Sequence, residues 1–380
     1  MTESLPRERV GSGGTDPEPP RDRRGDPWAI GLGLLGGVLL GTGLTFAILG
    51  YVGVFEEPTP PTIPPAPTLT APSPTSAPPT FGEEVTAASV ADRVIPSTVA
   101  IDISAFLLDG SGSGVIYGDS GYIITNHHVI DGASNISVIF ADGATFSAEV
   151  VGSDPITDIG VVLVARQDLT PLAIGSSDDL SIGEPAVAVG NPLGLAGGPT
   201  VTSGIVSALD RTLETTAGNL YGLVQTDAPI APGSSGGALV DAAGRLIGIT
   251  TAIAISDVGA EGLGFAVPID LAVGVANDLI ENGEVRHAQI GIRGGTALAE
   301  DAGAAYPVGV LVDTVTSGSA FEEAGGQIND VIVALDGHEV NTIEALLSRL
   351  RRLRAGDTIL VHILRADAET TLNVTLGLLQ

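Results

Sequence analysis

The 380-residue chain has no cysteine, no lysine, one methionine, one tryptophan and only five histidines. Without cysteine there is no disulfide framework, thiol nucleophile, zinc–thiolate site or lipid-modified cysteine anchor. The 16 basic residues are all arginine, and they face 45 acidic ones, for a formal net charge of −29. A chain this acidic repels nucleic-acid phosphates, and no basic stripe offsets the repulsion. What is abundant is apolar surface and turn: 44% hydrophobic residues and 52 glycines. That composition supports a sizeable core broken by many turns, and the length allows two or three domains.

Residues 1–27 are polar, rich in glycine, proline and charge, and read as a disordered N-terminal arm. The run from Trp28 to Phe55 carries no charge over 28 residues, where about 20 suffice to cross a bilayer. It is too long for the apolar stretch of a cleaved signal peptide, about 7–15 residues, so an uncleaved membrane anchor is expected. Arg21, Arg23 and Arg24 precede it and the next basic residue is Arg93, so the N-terminus is expected in the cytoplasm and the rest outside. Trp28 and Tyr51 stand near the two ends of the run, as aromatic belts do. Residues 56–84 form a linker, with ten prolines between positions 58 and 80, which favours a semi-rigid polyproline II spacer.

From there the pattern changes to short apolar runs separated by turn signals: "STVAIDIS", "GYIITNHHVI", "IGVVLVA", "PAVAVGNP", "TVTSGIVSAL", "GRLIGITTAI", "GLGFAVP". Regular short strands of this kind predict a mainly β domain, a barrel or sandwich, over residues 85–284, closed by a helix at "IDLAVGVANDLIENGEV". Residues 285–380 read as a second, smaller unit with strands at "GVLVDTV", "DVIVALDG", "TILVHILR" and "TTLNVTLG". Its helix, "TIEALLSRLRRL", places Arg349, Arg351, Arg352 and Arg354 on what reads as a solvent-facing basic side.

The densest chemistry lies in "TDAPIAPGSSGGALVD", residues 226–241. Glycine at this density forfeits conformational entropy on folding unless a turn needs it. One such need is a turn that exposes the Ser235 hydroxyl and aims backbone N–H groups at a reacting oxygen. Gly-x-Ser-x-Gly at a strand-to-helix elbow is excluded, because "ALVDAAGRLIGIT" reads as a hairpin. The other setting is a double-barrel protease, whose histidine and aspartate come earlier in the chain. Two histidines precede Ser235, His127 and His128, side by side in "ITNHHVI". On a strand they would point to opposite faces, so at most one of the two would reach the serine. The carboxylate that orients the imidazole is Asp154 or Asp158, in "GSDPITDIGVVLV"; Asp154, before a proline, reads as the turn residue.

These three blocks, in this order, resemble the catalytic blocks of the HtrA (Deg) family of trypsin-like serine proteases, and the resemblance covers roughly residues 86–380. It implies a chymotrypsin-like double β-barrel followed by one PDZ domain. It assigns His128, Asp158 and Ser235 as the triad, with the N–H groups of Gly233 and Ser235 as the oxyanion hole. It implies no metal or other cofactor. Ser234 and His127 stand where the family usually has asparagine, and His127 brings a competing hydrogen-bonding group beside the triad. Pro229 stands six residues before the serine, where enzymes selective for basic residues carry aspartate. The resemblance therefore implies an apolar pocket lined by Ile230 and Ala254, and cleavage after small or medium aliphatic residues. "QIGI", Gln289, Ile290, Gly291 and Ile292, resembles the loop that receives a peptide's terminal carboxylate. Residues 210–222 read as a sensor loop between PDZ domain and active site. The expected function is a membrane-anchored, ATP-independent endopeptidase of protein quality control outside the cytoplasmic membrane. It would act on unfolded proteins and assemble as a homotrimer or larger. The alternatives are a regulatory site-specific protease, or a peptide-binding chaperone or sensor gated by the PDZ domain.

Overall fold

The computed structural model describes residues 86–104, 109–191, 198–215, 217–251, 263–301, 304–366 and 368–379. The expected arm, anchor and linker, residues 1–84, lie outside the described residues. Among the described residues no helix is long and apolar enough to cross a membrane.

The first described element is helix α1 (Ala87–Val94), started by a reciprocal cap between Thr86 and Ser89. Valine- and isoleucine-rich strands follow. They are β1 (Thr98–Ser104), β2 (Asp109–Tyr117), β3 (Tyr122–Thr125), β4 (Asn135–Ile139), β5 (Thr145–Asp154) and β6 (Ile159–Val164). They close a barrel in the order β1-β2-β3-β6-β5-β4. The next six strands are β7 (Pro185–Gly190), β8 (Thr200–Thr215), β9 (Gly218–Thr226), β10 (Ala238–Asp241), β11 (Leu246–Thr251) and β12 (Gly264–Pro268). They close a second barrel whose order, β7-β8-β9-β12-β11-β10, repeats that of the first. Closure removes the free edges an open sheet would expose. One core cluster joins Val115, Ile124 and Val161 of the first barrel to Val189, Val240 and Ile249 of the second. The seam between the barrels is therefore apolar and tightly packed, which suits it to hold groups from both sides in fixed register.

Between β3 and β4 the chain forms a single helical turn, α2 (His127–Ile130), with Asn126 at its N-cap position. The strand expected through the two histidines is thus a helix turn. Alternation between opposite faces does not apply there, and the two imidazoles are separated by their contacts instead. The second barrel is closed by α3 (Ile269–Asn282), which buries Leu271, Val275 and Leu279 and ends at Gly283 in the left-handed region (φ 76°).

The smaller unit has a two-stranded sheet, β13 (Ala288–Gln289) with β20 (Gly377–Leu378). Beside it stands a larger sheet, in the order β14 (Ile292–Asp301), β15 (Ala304–Val315), β16 (Val331–Leu335), β18 (Thr358–Arg365), β19 (Ala368–Thr375), with β17 (His338–Glu339) on β16. Helices α4 (Ala320–Glu323) and α5 (Ile343–Arg351) cover a core of Val310, Phe321, Ile332, Val361 and Val374. Among the described residues, strand β14 pairs on one side only, with β15.

Two expectations change here. Residues 210–222 are largely strand: they form the distal part of the β8–β9 hairpin, with Arg211 opposite Leu223 and Glu214 opposite Asn219. The arginines do not form one solvated face, because the helix ends at Arg351 and three of the four side chains turn to different surroundings. Arg352 pairs with Asp178, Arg354 Nε lies 2.8 Å from Asp278, and the Arg351 guanidinium is drawn inward, where burial lowers its pKa against the pull of Asp154 and Tyr221. In place of a solvated face, α5 is a docking element: it packs on β9, with Ser348 Oγ 3.1 Å from Asp210.

Candidate active site

Asp158 is delivered by a turn that starts at Asp154. The Asp154 carboxylate accepts hydrogen bonds from the N–H groups of Ile156 (3.3 Å) and Thr157 (3.1 Å) and from the Thr157 hydroxyl. This side-chain mimic of a backbone turn bends the chain so that Asp158 takes φ 59°, a left-handed conformation that aspartate tolerates better than most residues. The Asp158 carbonyl then accepts from Asn126 Nδ2 (2.8 Å) and from the His127 N–H (3.2 Å). Its carboxylate, 4% exposed, accepts from the His128 N–H at 3.1 Å. His128 Nδ1 lies 2.9 Å from each carboxylate oxygen, and Thr251 Oγ1 donates to Oδ2 at 3.0 Å. With Nδ1–H committed to Asp158, the neutral imidazole has Nε2 free to accept a proton. The His128 side chain is 39% exposed, so the ring is open on one side while its orienting partner is buried.

His127 does not compete for Asp158: its Nδ1 lies 2.9 Å from Ser153 Oγ. Asp154 is more than the turn residue expected. It is 5% exposed and its Oδ1 lies 2.9 Å from Nε2 of His287, which is itself 6% exposed. Burial opposes the Asp154 charge, but bonds from His287 and Thr157 hold its carboxyl below the usual aspartate value.

Ser235 sits in the turn before β10, 5% exposed. The turn folds on itself through Ser234 N–H to the Ala231 carbonyl (2.9 Å) and Gly237 N–H to the Ser234 carbonyl (3.0 Å). Gly236 has φ 84°, and a Cβ there would lie 2.2 Å from the Ser113 carbonyl oxygen and 2.4 Å from Thr125 Oγ1. Only glycine lets the turn approach the end of β3 this closely. A Cβ on Gly112 would meet both Val129 (2.5 Å) and the Ser235 carbonyl oxygen (3.3 Å), so the serine backbone lies beside the α2 turn that carries His128. Gly233 has φ 92°. The three predicted triad segments thus converge at the barrel seam, from α2, from the β5–β6 turn and from the turn before β10. Thr251, at the end of β11, was missed by sequence reasoning; "TT" closing an apolar strand gave no signal of its own. Asn126, in "TNHHV", was within the quoted block but without a role.

Beside the turn lies a small cavity of about 90 Å³, lined by Gly190, Thr202, Pro229, Ala231, Ser234 and Thr250. Ile230 is half-buried against the second barrel's core, close to Gly264. Ala254 lies outside the described residues. In the smaller unit Ile290 is 3% exposed, and its carbonyl and that of Gly291 accept from Phe321 and Thr316. Gln289 pairs with Gly377 and its Nε2 donates to the Leu378 carbonyl, which turns this side chain toward β20. Ile292 opens β14, which lies at the end of the larger sheet among the described residues. No cluster of metal-ligating side chains occurs among the described residues.

Two repeated barrels with a His–Asp pair and a glycine-framed serine at their seam, followed by a small β unit, define a trypsin-like peptidase with one PDZ domain. Residues 112–249 match the trypsin-like peptidase domain and residues 278–376 the PDZ domain. The chain is similar to the serine protease PepD of Mycobacterium tuberculosis, 36% identical over 373 residues, covering 92% of this chain and 77% of PepD. It is 42% identical over 277 residues to the periplasmic pH-dependent serine endoprotease DegQ of Escherichia coli, covering 70% of this chain but only 59% of DegQ. The solved structure of the HtrA-type protease AlgW with a tripeptide is 36% identical, with a TM-score of 0.65, over 78% of this chain and 98% of that one. The chain belongs to the HtrA family of serine proteases.

Proposed function

We propose that the chain is a serine endopeptidase in which His128, Asp158 and Ser235 carry the reaction. The observation that supports this most is the placement of His128 Nδ1 at 2.9 Å from both oxygens of buried Asp158, with the glycine-framed Ser235 turn packed beside α2. In this reading His128 Nε2 takes the Ser235 hydroxyl proton as Oγ bonds to the scissile carbonyl carbon. The carbonyl oxygen, now negative, faces the N–H groups of Gly233 and Ser235. His128 then gives the proton to the leaving amine as the C–N bond breaks, and water repeats the cycle on the acyl ester. No cofactor enters these steps.

The substrates are unfolded or damaged polypeptides, cut after small or medium aliphatic residues admitted by an apolar pocket at Ile230 and Ala254. The apolar run Trp28–Phe55 spans the cytoplasmic membrane, and the proline-rich spacer holds the catalytic domain on its outer side, in keeping with the periplasmic naming of DegQ. The PDZ domain takes peptide C-termini, the carboxylate at residues 289–292 and the chain added as a strand on β14. The working form is a homotrimer or larger. A regulatory role, cleavage gated by a partner's C-terminus, is favoured by the packing of PDZ helix α5 on β9 of the second barrel.

The test is digestion of unfolded casein by the full chain in detergent micelles, beside Ser235→Ala, with and without peptides ending in aliphatic residues. Cutting by the wild type alone is expected. Equal cutting by both would remove Ser235 from the mechanism, and preference for arginine at the cleaved bond would remove the apolar pocket.

A further inference from the structure

Two buried hydroxyls grip the Ser235 turn from opposite barrels. Ser113, on β2, is wholly buried, and all of its polar atoms are engaged. Its N–H donates to the Ser235 carbonyl (2.7 Å), and its Oγ donates to the Gly233 carbonyl (2.8 Å) while accepting from the Asn191 N–H (2.8 Å). Its carbonyl accepts from Thr125 Oγ1 (2.7 Å). Thr250, on β11, is 1% exposed and turns all three of its polar atoms to the same place. Its Oγ1 donates to the Ser234 carbonyl (2.6 Å), its N–H donates to the Gly237 carbonyl (2.9 Å), and its carbonyl accepts from the Gly236 N–H (2.8 Å).

We infer that Ser113 and Thr250 are positioning residues for the oxyanion-binding turn: their hydroxyls hold two successive carbonyls, those of Gly233 and Ser234, and so aim the N–H groups that stabilise the developing negative charge. The inference rests on reading Ser235 as the nucleophile. In a planar trans peptide the C=O and N–H point in opposite directions. Holding the Ser234 carbonyl toward Thr250 therefore points the Ser235 N–H, the other end of the same peptide, away from Thr250. The Gly233–Ser234 peptide is fixed at both ends, its carbonyl on Ser113 Oγ and its N–H on the Ala231 carbonyl. The Gly233 N–H is separated from that fixed peptide only by the φ and ψ rotations of Gly233 itself, whose φ is 92°. Donors lower a barrier most when they need no reorientation as charge develops. A turn this rich in glycine does not hold such an orientation by itself, so the neighbouring barrels supply it, one hydroxyl each.

The test uses the full chain in micelles: wild type, Ser113→Ala, Thr250→Val, which keeps shape without the hydroxyl, and Thr250→Ser, which restores it. Cleavage of an aliphatic chromogenic peptide gives kcat and KM. A peptide boronate, whose tetrahedral adduct puts an oxygen at the turn, gives an inhibition constant. Loss of either hydroxyl is expected to lower kcat about ten- to hundredfold, less than the roughly 10²–10³ for outright loss of one oxyanion donor, with KM within about twofold. Boronate affinity should weaken by the same factor as kcat/KM, and Thr250→Ser should recover most of kcat. Unchanged kcat in both variants, or loss of kcat without matching loss of boronate affinity, would overturn the inference. So would Thr250→Ser behaving like Thr250→Val. A wild type that neither cleaves nor reacts with a fluorophosphonate would instead overturn the assignment of Ser235, and the inference with it.

Discussion

His287 Nε2 lies 2.9 Å from Asp154 Oδ1, and both side chains are buried. The pair joins the first residues of the PDZ domain to the turn that presents Asp158 to His128. Arg351 of α5 adds a positive charge that also acts on Asp154. A second histidine–carboxylate pair therefore has its aspartate four residues before Asp158, the aspartate of the pair proposed as catalytic. The route from PDZ domain to the proposed triad is short: His287, Asp154, the turn through Thr157, then Asp158.

Stability should report this pair through pH. The Asp154 carboxyl is held below its ordinary value near 3.8, despite burial, by bonds from His287 and Thr157. A group with a depressed folded pKa adds stability in full above its unfolded value and loses it as pH falls through the folded one. Asp154→Asn is therefore expected to destabilise by about 1.5–3 kcal/mol at pH 7, the range for hydrogen bonds to a charged group. The gap between variant and wild type should narrow only below about pH 4. Denaturant unfolding of both proteins between pH 3 and 8 checks this, and a gap that closes near pH 6 would assign the effect to another group.

Thr251 should matter to turnover more than to binding. Its hydroxyl donates to Asp158 Oδ2 at 3.0 Å, on the side away from the polypeptide N–H of His128, and holds the carboxylate in line with Nδ1. Thr251→Val removes that bond at nearly constant volume. The expected loss is about tenfold in kcat, equivalent to about 1.4 kcal/mol, with KM little changed. Steady-state kinetics on a peptide substrate measures it; a rise in KM alone would place Thr251 in substrate binding.

Much of this site could be read from the sequence, because its chemistry is packed into short blocks. "TNHHV", "SDPITDIG" and "GSSGG" each bring their own turn, and the order of the blocks implied the double barrel. What could not be read depends on pairs distant in sequence. His287 and Asp154 are 133 residues apart, Thr251 and Asp158 are 93 apart, and Ser113 and Gly233 are 120 apart. No local pattern in a single sequence encodes such pairs. The arginines of α5 were misread for a related reason. A basic helix in an acidic chain reads as solvated, yet Arg352 and Arg354 pair with Asp178 and with Asp278 of α3, far away in sequence.

The domain contact should resist loss of charge and yield to a change in shape. Asp178 is 62% exposed, so its ion pair with Arg352 is well screened, and Arg352→Ala should cost less than about 1 kcal/mol. Ser348 is 4% exposed and faces Gly222, where a Cβ would come within 2.5 Å of its Oγ. Ser348→Phe has no room, so α5 should leave β9 and the PDZ domain should move away while each domain stays folded. Small-angle scattering would then show a larger radius, and cleavage would no longer respond to added C-terminal peptides. An unchanged radius would mean that the α5–β9 contact does not hold the domains together.

Gly236→Ala should disrupt the Ser235 turn more than its single added methyl suggests. Alanine there would face the cost of φ 84°, about 1–3 kcal/mol for a residue other than glycine. It would also drive its Cβ to 2.2 Å from the Ser113 carbonyl oxygen, a backbone atom that cannot swing aside as a flexible side chain can. The turn must back away from β2 and β3, which breaks the Ser113 N–H bond to the Ser235 carbonyl and shifts the serine from His128. The expected result is a folded but less stable protein, in which labelling of Ser235 by a fluorophosphonate slows at least a hundredfold while the PDZ domain still binds peptide. Gly237→Ala is a useful comparison, since its Cβ would also meet backbone, at 2.5 Å from the Val189 carbonyl oxygen, but on the β7 side of the turn. If Gly236→Ala labels at the wild-type rate, the close approach of the turn to the first barrel is not what places Ser235.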